Sequence, residues 1–293
     1  MSVLRALWAV GRKAVSLGNF LIFRKELELL AKIHKKEKVV IHFVGEEPFS
    51  LPAYATDVFV SEIPFELTNE RGESYDWPKK EDFFSKETHF TLQKIEELSR
   101  GSGFSPDLLW PETIYREAKQ RLKKWGGGVV CHLKNAGDCR EDSNAHFASW
   151  REFFERVRDC PFILVGSDII PVELERLPHL YGAQREGVSL SVQLALCAVA
   201  EGFIGMASGM SAAAILSSSP YVIFKHPSHH PEEMQRELRE RDHFGFAHSN
   251  QKLLRQLDQF DNIHSAFFKF LRGKEDGAAH KSKAPHRSRS PAP

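Results

Sequence analysis

Gly202-Phe203-Ile204-Gly205-Met206-Ala207-Ser208-Gly209-Met210-Ser211-Ala212-Ala213-Ala214, running on to Pro220-Tyr221-Val222-Ile223-Phe224, carries most of the information about architecture. Phe203-Ile204-Gly205 is short, apolar and unbroken, as a strand covered on both faces must be. Ser208-Gly209-Met210-Ser211 is a turn of small residues, and the helix it opens is equally small at Ala212, Ala213 and Ala214. Tyr221 to Phe224 is a second buried strand. A turn of this kind leaves backbone N–H groups and two hydroxyls at a helix amino end, where anions, phosphates above all, are favoured. The same small residues also let a helix pack close to a sheet, so the local sequence leaves both uses open.

Outward from that stretch the pattern repeats. Val129 to Leu133 reads as a strand, 146–157 as a helix with Phe147, Trp150, Phe153, Phe154 and Val157 as its apolar stripe, and Pro161 to Gly166 as a strand. The segment 189–200 is an apolar helix ahead of Gly202. Strand and helix alternate in this way in an open parallel sheet covered on both faces. Beyond it, 232–241 is a charged helix after Pro231, and Leu254, Leu257, Phe260, Phe267 and Leu271 predict one long helix over 253–271.

The first half is less regular. Met1 to Val15, with Arg5, Arg12 and Lys13 among apolar residues, predicts an amphipathic helix lying on the fold, or at most a peripheral contact with a membrane surface. Gly18-Asn19-Phe20 punctuates the chain before a helix over 20–34, and Val39 to Gly45 is a strand. Asp57 to Val60 reads as a second short strand, 64–90 as a long irregular loop and 91–99 as a short helix. A helix follows Pro111, carries Ile114, Ala118, Leu122 and Trp125, and stops at Gly126-Gly127-Gly128. We expect an α/β protein with an N-terminal domain over 1–125, a C-terminal domain over 126–272 and a disordered basic tail over 273–293.

With 40 basic and 39 acidic residues, a net charge of +1 gives no footprint for nucleic acid. Cys131, Cys139, Cys160 and Cys197 have no CxxC spacing and read as reduced thiols of a cytoplasmic protein. No apolar run is long enough to span a membrane.

Ligands of a doubly wound sheet lie at the carboxyl ends of its strands. Three such ends are polar here: His132-Leu133-Lys134 with Arg140 and Asn144, Ser167-Asp168, and the Ser208–Ser211 turn. One shared crevice would hold two cations, a hydroxyl-lined helix terminus and a carboxylate, a set suited to a diphosphate joined to a polar ring. His226-Pro227-Ser228-His229-His230 has no acidic residue at ligand spacing, so no metal site is expected. GxGxxG and GxxxxGK[ST] are absent.

Val188-Ser189-Leu190, the apolar helix, Glu201 to Gly205, Ser208 to Ser211 and Pro220 to Phe224 resemble the C-terminal domain of GT-B glycosyltransferases of the heptosyltransferase type. His132-Leu133-Lys134-Asn135 with Arg140 and Asn144 resembles the HxR loop of NodZ-like fucosyltransferases, with Lys134 standing where those enzymes have arginine. The likeness spans about 128–226. It implies two Rossmann-like domains and metal-independent transfer of a sugar from a nucleotide-sugar to a glycan or small acceptor, with no cofactor besides the donor. His132, Lys134, Arg140, Asn144, Ser167, Asp168, Ser189, Ser208, Gly209, Met210 and Ser211 would then face the donor, and Gly18 and Asn19 would form an acceptor-side loop. Asn19 stands where an aspartate is common in that family, leaving Glu46, Glu47 and Asp57 as candidate bases. A nucleotide-sugar epimerase-like enzyme and a non-catalytic nucleotide-sugar-binding relative are the alternatives.

Overall fold

The structure, a computed structural model, describes residues 2–10, 15–45, 49–78, 92–137 and 143–273. Two parallel sheets carry the chain. Three strands, β1 (Val3–Ala9), β2 (Lys38–Val44) and β3 (Phe65–Thr68), form the first in the order β1-β2-β3. Val3-Leu-Arg-Ala-Leu-Trp-Ala is therefore a strand and not the expected amphipathic helix. Leu4, Ala6, Leu7 and Trp8 are buried and Arg5 is exposed; past Arg5 the run Ala6-Leu7-Trp8 is buried at consecutive positions, as in a strand covered on both faces. Arg12 and Lys13 lie outside the described residues. The helix α1 (Leu17–Ile33) covers this sheet, and Trp8 packs against Phe20, Phe23 and Phe43.

Two other expectations for this half are corrected. Asp57-Val58 belongs to a helical turn, α2 (Ala55–Val58), because Ala55 and Val58 bury at helical spacing while Thr56 faces out. The predicted 64–90 loop contains β3, whose pattern is broken by Glu66; residues 79–91 lie outside the described residues. The helices α3 (Leu92–Ser102) and α4 (Glu112–Lys124) follow as expected.

The second sheet has six parallel strands: β4 (Val129–His132), β5 (Phe162–Leu164), β6 (Leu180–Gly182), β7 (Gly202–Met206), β8 (Tyr221–Phe224) and β9 (Gln251–Leu254). Their order is β6-β5-β4-β7-β8-β9, so the direction of winding reverses between β4 and β7. The helices α5 (Phe147–Arg156), α6 (Val172–Glu175), α7 (Leu190–Val199), α8 (Gly209–Ile215), α9 (Pro231–Leu238) and α10 (Phe260–Ala266) complete it, with a π-helical turn at Phe267–Leu271. The single helix predicted over 253–271 is thus a strand, a break and a helix. Asp258, buried at the break, accepts from His146 N and Trp150 Nε1, both at 2.7 Å. That contact holds the chain out of a continuous helix.

Among the contacts that join the halves, α1 packs on α8, α4 and α2 pack on α7, and Leu108 N donates to Leu216 O at 2.9 Å. Another comes from α9, whose Glu237 accepts from Gln93 N at the start of α3 at 3.2 Å. Residues 274–293, the predicted tail, lie outside the described residues.

Candidate functional site

A cavity of about 830 Å3 opens at the carboxyl ends of the second sheet, where the winding reverses between β4 and β7. Its rim toward the first sheet is the start of α1. Ser16 caps that helix, its Oγ accepting from Asn19 N at 3.4 Å, so Gly18 and Asn19 lie in a first helical turn and not in a loop. Across from it, Ser208 caps α8 in a reciprocal arrangement. Ser208 Oγ accepts from Ser211 N at 3.2 Å, and Ser211 Oγ accepts from Ser208 N at 2.9 Å. The two amino ends touch: a Cβ on Gly209 would lie 2.6 Å from Leu17 Cβ and 3.1 Å from Gly18 N. Ser16, Gly18, Asn19, Ser208, Gly209 and Ser211 all line the cavity. The positive ends of two helices are thereby aimed at one space, which favours an anion there.

The floor comes from β4 and β5. His132 Nε2 lies 3.0 Å from Asp168 Oδ2, and Asp168 Oδ1 accepts from Asn135 N at 2.7 Å. The other ring nitrogen, His132 Nδ1, is buried with no hydrogen-bond partner among the described residues. Gly166, at φ +95°, permits this arrangement; a Cβ there would lie 2.6 Å from the His132 ring. Burial pushes the Asp168 carboxyl up. The His132 bond, the Asn135 N–H and the charges of His132 and Lys134 outweigh it and hold the group below its ordinary value.

Of the residues expected to face a donor, His132, Lys134, Ser167, Asp168, Ser208, Gly209, Met210 and Ser211 line this one cavity. Ser189 and Asn144 do not. Ser189 caps α7, its Oγ accepting from Val192 N. Asn144 pins the loop after β4, accepting from Ala136 N at 2.6 Å and donating to Gly137 O at 2.8 Å. Arg140 lies outside the described residues, as do Glu46 and Glu47; Asp57 is described and does not line the cavity.

The sequence reading missed the wall after β8. Lys225, His229 and His230 line the cavity there. They form a fourth polar strand end, legible by the same rule that found the other three, but the histidines were weighed only as metal ligands. Among the described lining residues, Asp168 is the sole carboxylate, against two lysines and three histidines. No three His, Cys, Asp or Glu side chains among the described residues group as a metal site requires. Cys131, Cys160 and Cys197 are buried free thiols, and burial pushes that of Cys197 up to about 12. No helix among the described residues is long and apolar enough to cross a membrane.

No family model matches the chain, and no curated protein matches it in sequence. Solved structures match its fold. ADP-heptose LPS heptosyltransferase II of E. coli is 12% identical with a TM-score of 0.54, over 93% of this chain and 98% of that one. The E. coli heptosyltransferase WaaC, solved with ADP, is 13% identical with a TM-score of 0.51, over 92% and 99%. A family 9 glycosyltransferase from Veillonella parvula is 11% identical with a TM-score of 0.50, over 93% and 97%. The chain shares its fold with these enzymes over nearly the whole of each chain, and that fold is of the GT-B type.

Proposed function

We propose that the chain is a glycosyltransferase that binds a nucleotide-sugar in this cavity and passes the sugar to a hydroxyl acceptor. One observation carries the reading: the amino ends of α1 and α8 converge on the cavity at the carboxyl ends of the strands, where the winding reverses between β4 and β7. A diphosphate seated there faces two helix termini and Lys134. The nucleoside extends over the β5–β6 side, where Asp168 and Gln184 offer hydrogen-bonding groups to ribose or base. The bond between the anomeric carbon and the diphosphate breaks as the acceptor oxygen bonds to that carbon, and the hydroxyl proton leaves to solvent or to the departing diphosphate. The charge that develops on the departing diphosphate is met by dipoles and a cation already in place, so little reorganisation accompanies the step. The transfer uses no metal, the diphosphate being neutralised by these groups.

A second reading, nucleotide-sugar binding without transfer, is favoured by Asn19. It lines the acceptor-facing rim and cannot take a proton, while Asp168 lies on the donor side and is held by two hydrogen bonds. Calorimetric titration with ADP, GDP, UDP and CDP, followed by assay of nucleoside diphosphate release from the corresponding nucleotide-sugars, separates the two. Binding with release supports transfer. Binding without release, over a range of glycan acceptors, leaves the binding protein, and conversion of UDP-N-acetylglucosamine to its epimer would assign the alternative chemistry. If none of the four nucleotides binds, the reading fails.

A further inference from the structure

The cavity has two unlike wings. On the β5–β6 wing the polar groups are Ser167, Asp168, Gln184 and Gln193. These are hydroxyl, amide and one carboxylate, chemistry that suits a neutral, hydroxyl-rich nucleoside. On the β8 wing the polar groups are Lys225, His229 and His230, with Met234 and Phe244 beside them and no carboxylate among the described lining residues. The diphosphate seat lies between the wings. Lys134 follows β4 and Lys225 follows β8, and those strands flank β7. Two strand spacings, roughly 10 Å, therefore separate the two lysine-bearing ends. The seat between β4 and β7 is thus built on other strands than the one that carries Lys225.

The loop after β8 is built to hold its histidines in place. His226 is turned into the loop itself, its Nδ1 lying 2.7 Å from Ser228 Oγ and accepting from Ser228 N at 3.2 Å. Arg255 Nη2 donates to Pro227 O at 3.1 Å and ties the loop down from the far side. His230 adopts the left-handed region at φ 53°, uncommon for a residue with a side chain, and precedes α9 with its ring tilted 48° to that of His229, the centroids 4.3 Å apart. Glu233 Oε1 lies 3.6 Å from His230 Nδ1, a carboxylate behind the ring and outside the cavity lining, placed to partner an imidazolium.

We propose that the β8–α9 loop is an anion-binding wing distinct from the diphosphate seat, and that the transferred sugar or the acceptor carries a carboxylate or phosphate group that this wing receives. The proposal rests on the donor reading above for the position of the diphosphate, and it names the substrate class of that site. An acidic group enters between Lys225 and the two imidazoles, where charge-assisted hydrogen bonds to a partly enclosed anion favour it over a neutral hydroxyl.

The test uses the full chain, its Lys225→Met/His229→Gln/His230→Gln variant, and matched probes. UDP-glucose against UDP-glucuronate reads an acidic group on the sugar. Glucose against glucuronate and glucose 6-phosphate, each titrated with the best-bound nucleoside diphosphate present and also without it, reads an acidic group on the acceptor. The expected result is a preference for the acidic member of about tenfold or more in at least one arm, the ratio one charge-assisted hydrogen bond supplies. The triple variant loses that preference while its affinity for the nucleoside diphosphate stays within about twofold, since the diphosphate seat lies on other strands. Equal affinity for acidic and neutral members in every arm overturns the proposal, as does an acidic preference that survives in the triple variant. Failure of every nucleotide to bind instead defeats the donor reading, and the nucleotide-free acceptor arm then decides the wing by the same criteria.

Discussion

Asp168 shows how much of this site rests on single side chains. Its carboxylate holds the His132 ring and the Asn135 N–H together at the floor of the cavity. Replacing Asp168 by alanine is expected to cost about 1–3 kcal/mol near pH 7, because it leaves a buried imidazole nitrogen and a backbone donor unpaired. The pH dependence has a definite sign. The folded carboxyl lies below its ordinary value of 3.8, so its contribution is complete above the ordinary value and is lost as pH falls through the lower folded one. In urea titrations the stability gap between wild type and Asp168→Ala should therefore hold from pH 7 to 5 and narrow below about pH 4. A gap that stays constant down to pH 3 would show that the pairing does not depend on the charge. Both residues were legible in the sequence as polar strand ends, but their pairing was not. They are 36 positions apart in sequence, and only the adjacency of β4 and β5 brings them together.

The element that matters most is the contact between α1 and α8. The small residues of the Ser208–Ser211 turn left two uses open in the sequence, close packing and ligand binding, and the structure uses Gly209 for the first. A methyl at Gly209 meets Leu17 Cβ at 2.6 Å, whereas a methyl at Gly18 meets only Gly209 Cα at 3.5 Å and Ala212 Cβ at 3.9 Å. Gly209→Ala should consequently cost about 1–3 kcal/mol by overpacking, measured as a lowered midpoint of urea unfolding. Gly18→Ala, in the first turn of a helix with room for a methyl, should be neutral or gain up to about 1 kcal/mol. If both glycines behave alike, the contact is looser than described. The packing face of α8 was readable from composition, but its partner was not. The residues it meets belong to a first turn that Gly18-Asn19 made look like a loop.

At the scale of the whole molecule, the second sheet was plain in the sequence because each of its central strands is a short apolar run between clear helices. The first sheet was not. Its opening strand carries Arg5 and stands beside two further basic residues, which imitates an amphipathic helix, and its third strand is interrupted by Glu66. Nor does periodicity reveal the buried charges of α1. Arg24 donates to Glu28 at 2.8 Å and to Val58 O at 2.9 Å, stacks 4.1 Å from the Trp110 ring, and also donates to Leu109 O. Glu28 in turn accepts from Ser61 Oγ at 2.7 Å and Leu109 N at 3.1 Å. Glu28→Ala leaves Arg24 and Lys25 buried without their carboxylate and should cost about 3–5 kcal/mol, read by chemical denaturation. That network binds α1 to the 107–110 segment, and Leu108 is in turn bonded to Leu216 at the end of α8. Together with Glu237 at the head of α3, the cavity is laced on several sides by contacts that a hinge would have to break. A ligand is therefore expected to enter through the existing mouth, and small-angle scattering of the protein should give the same radius of gyration with the cavity empty and filled.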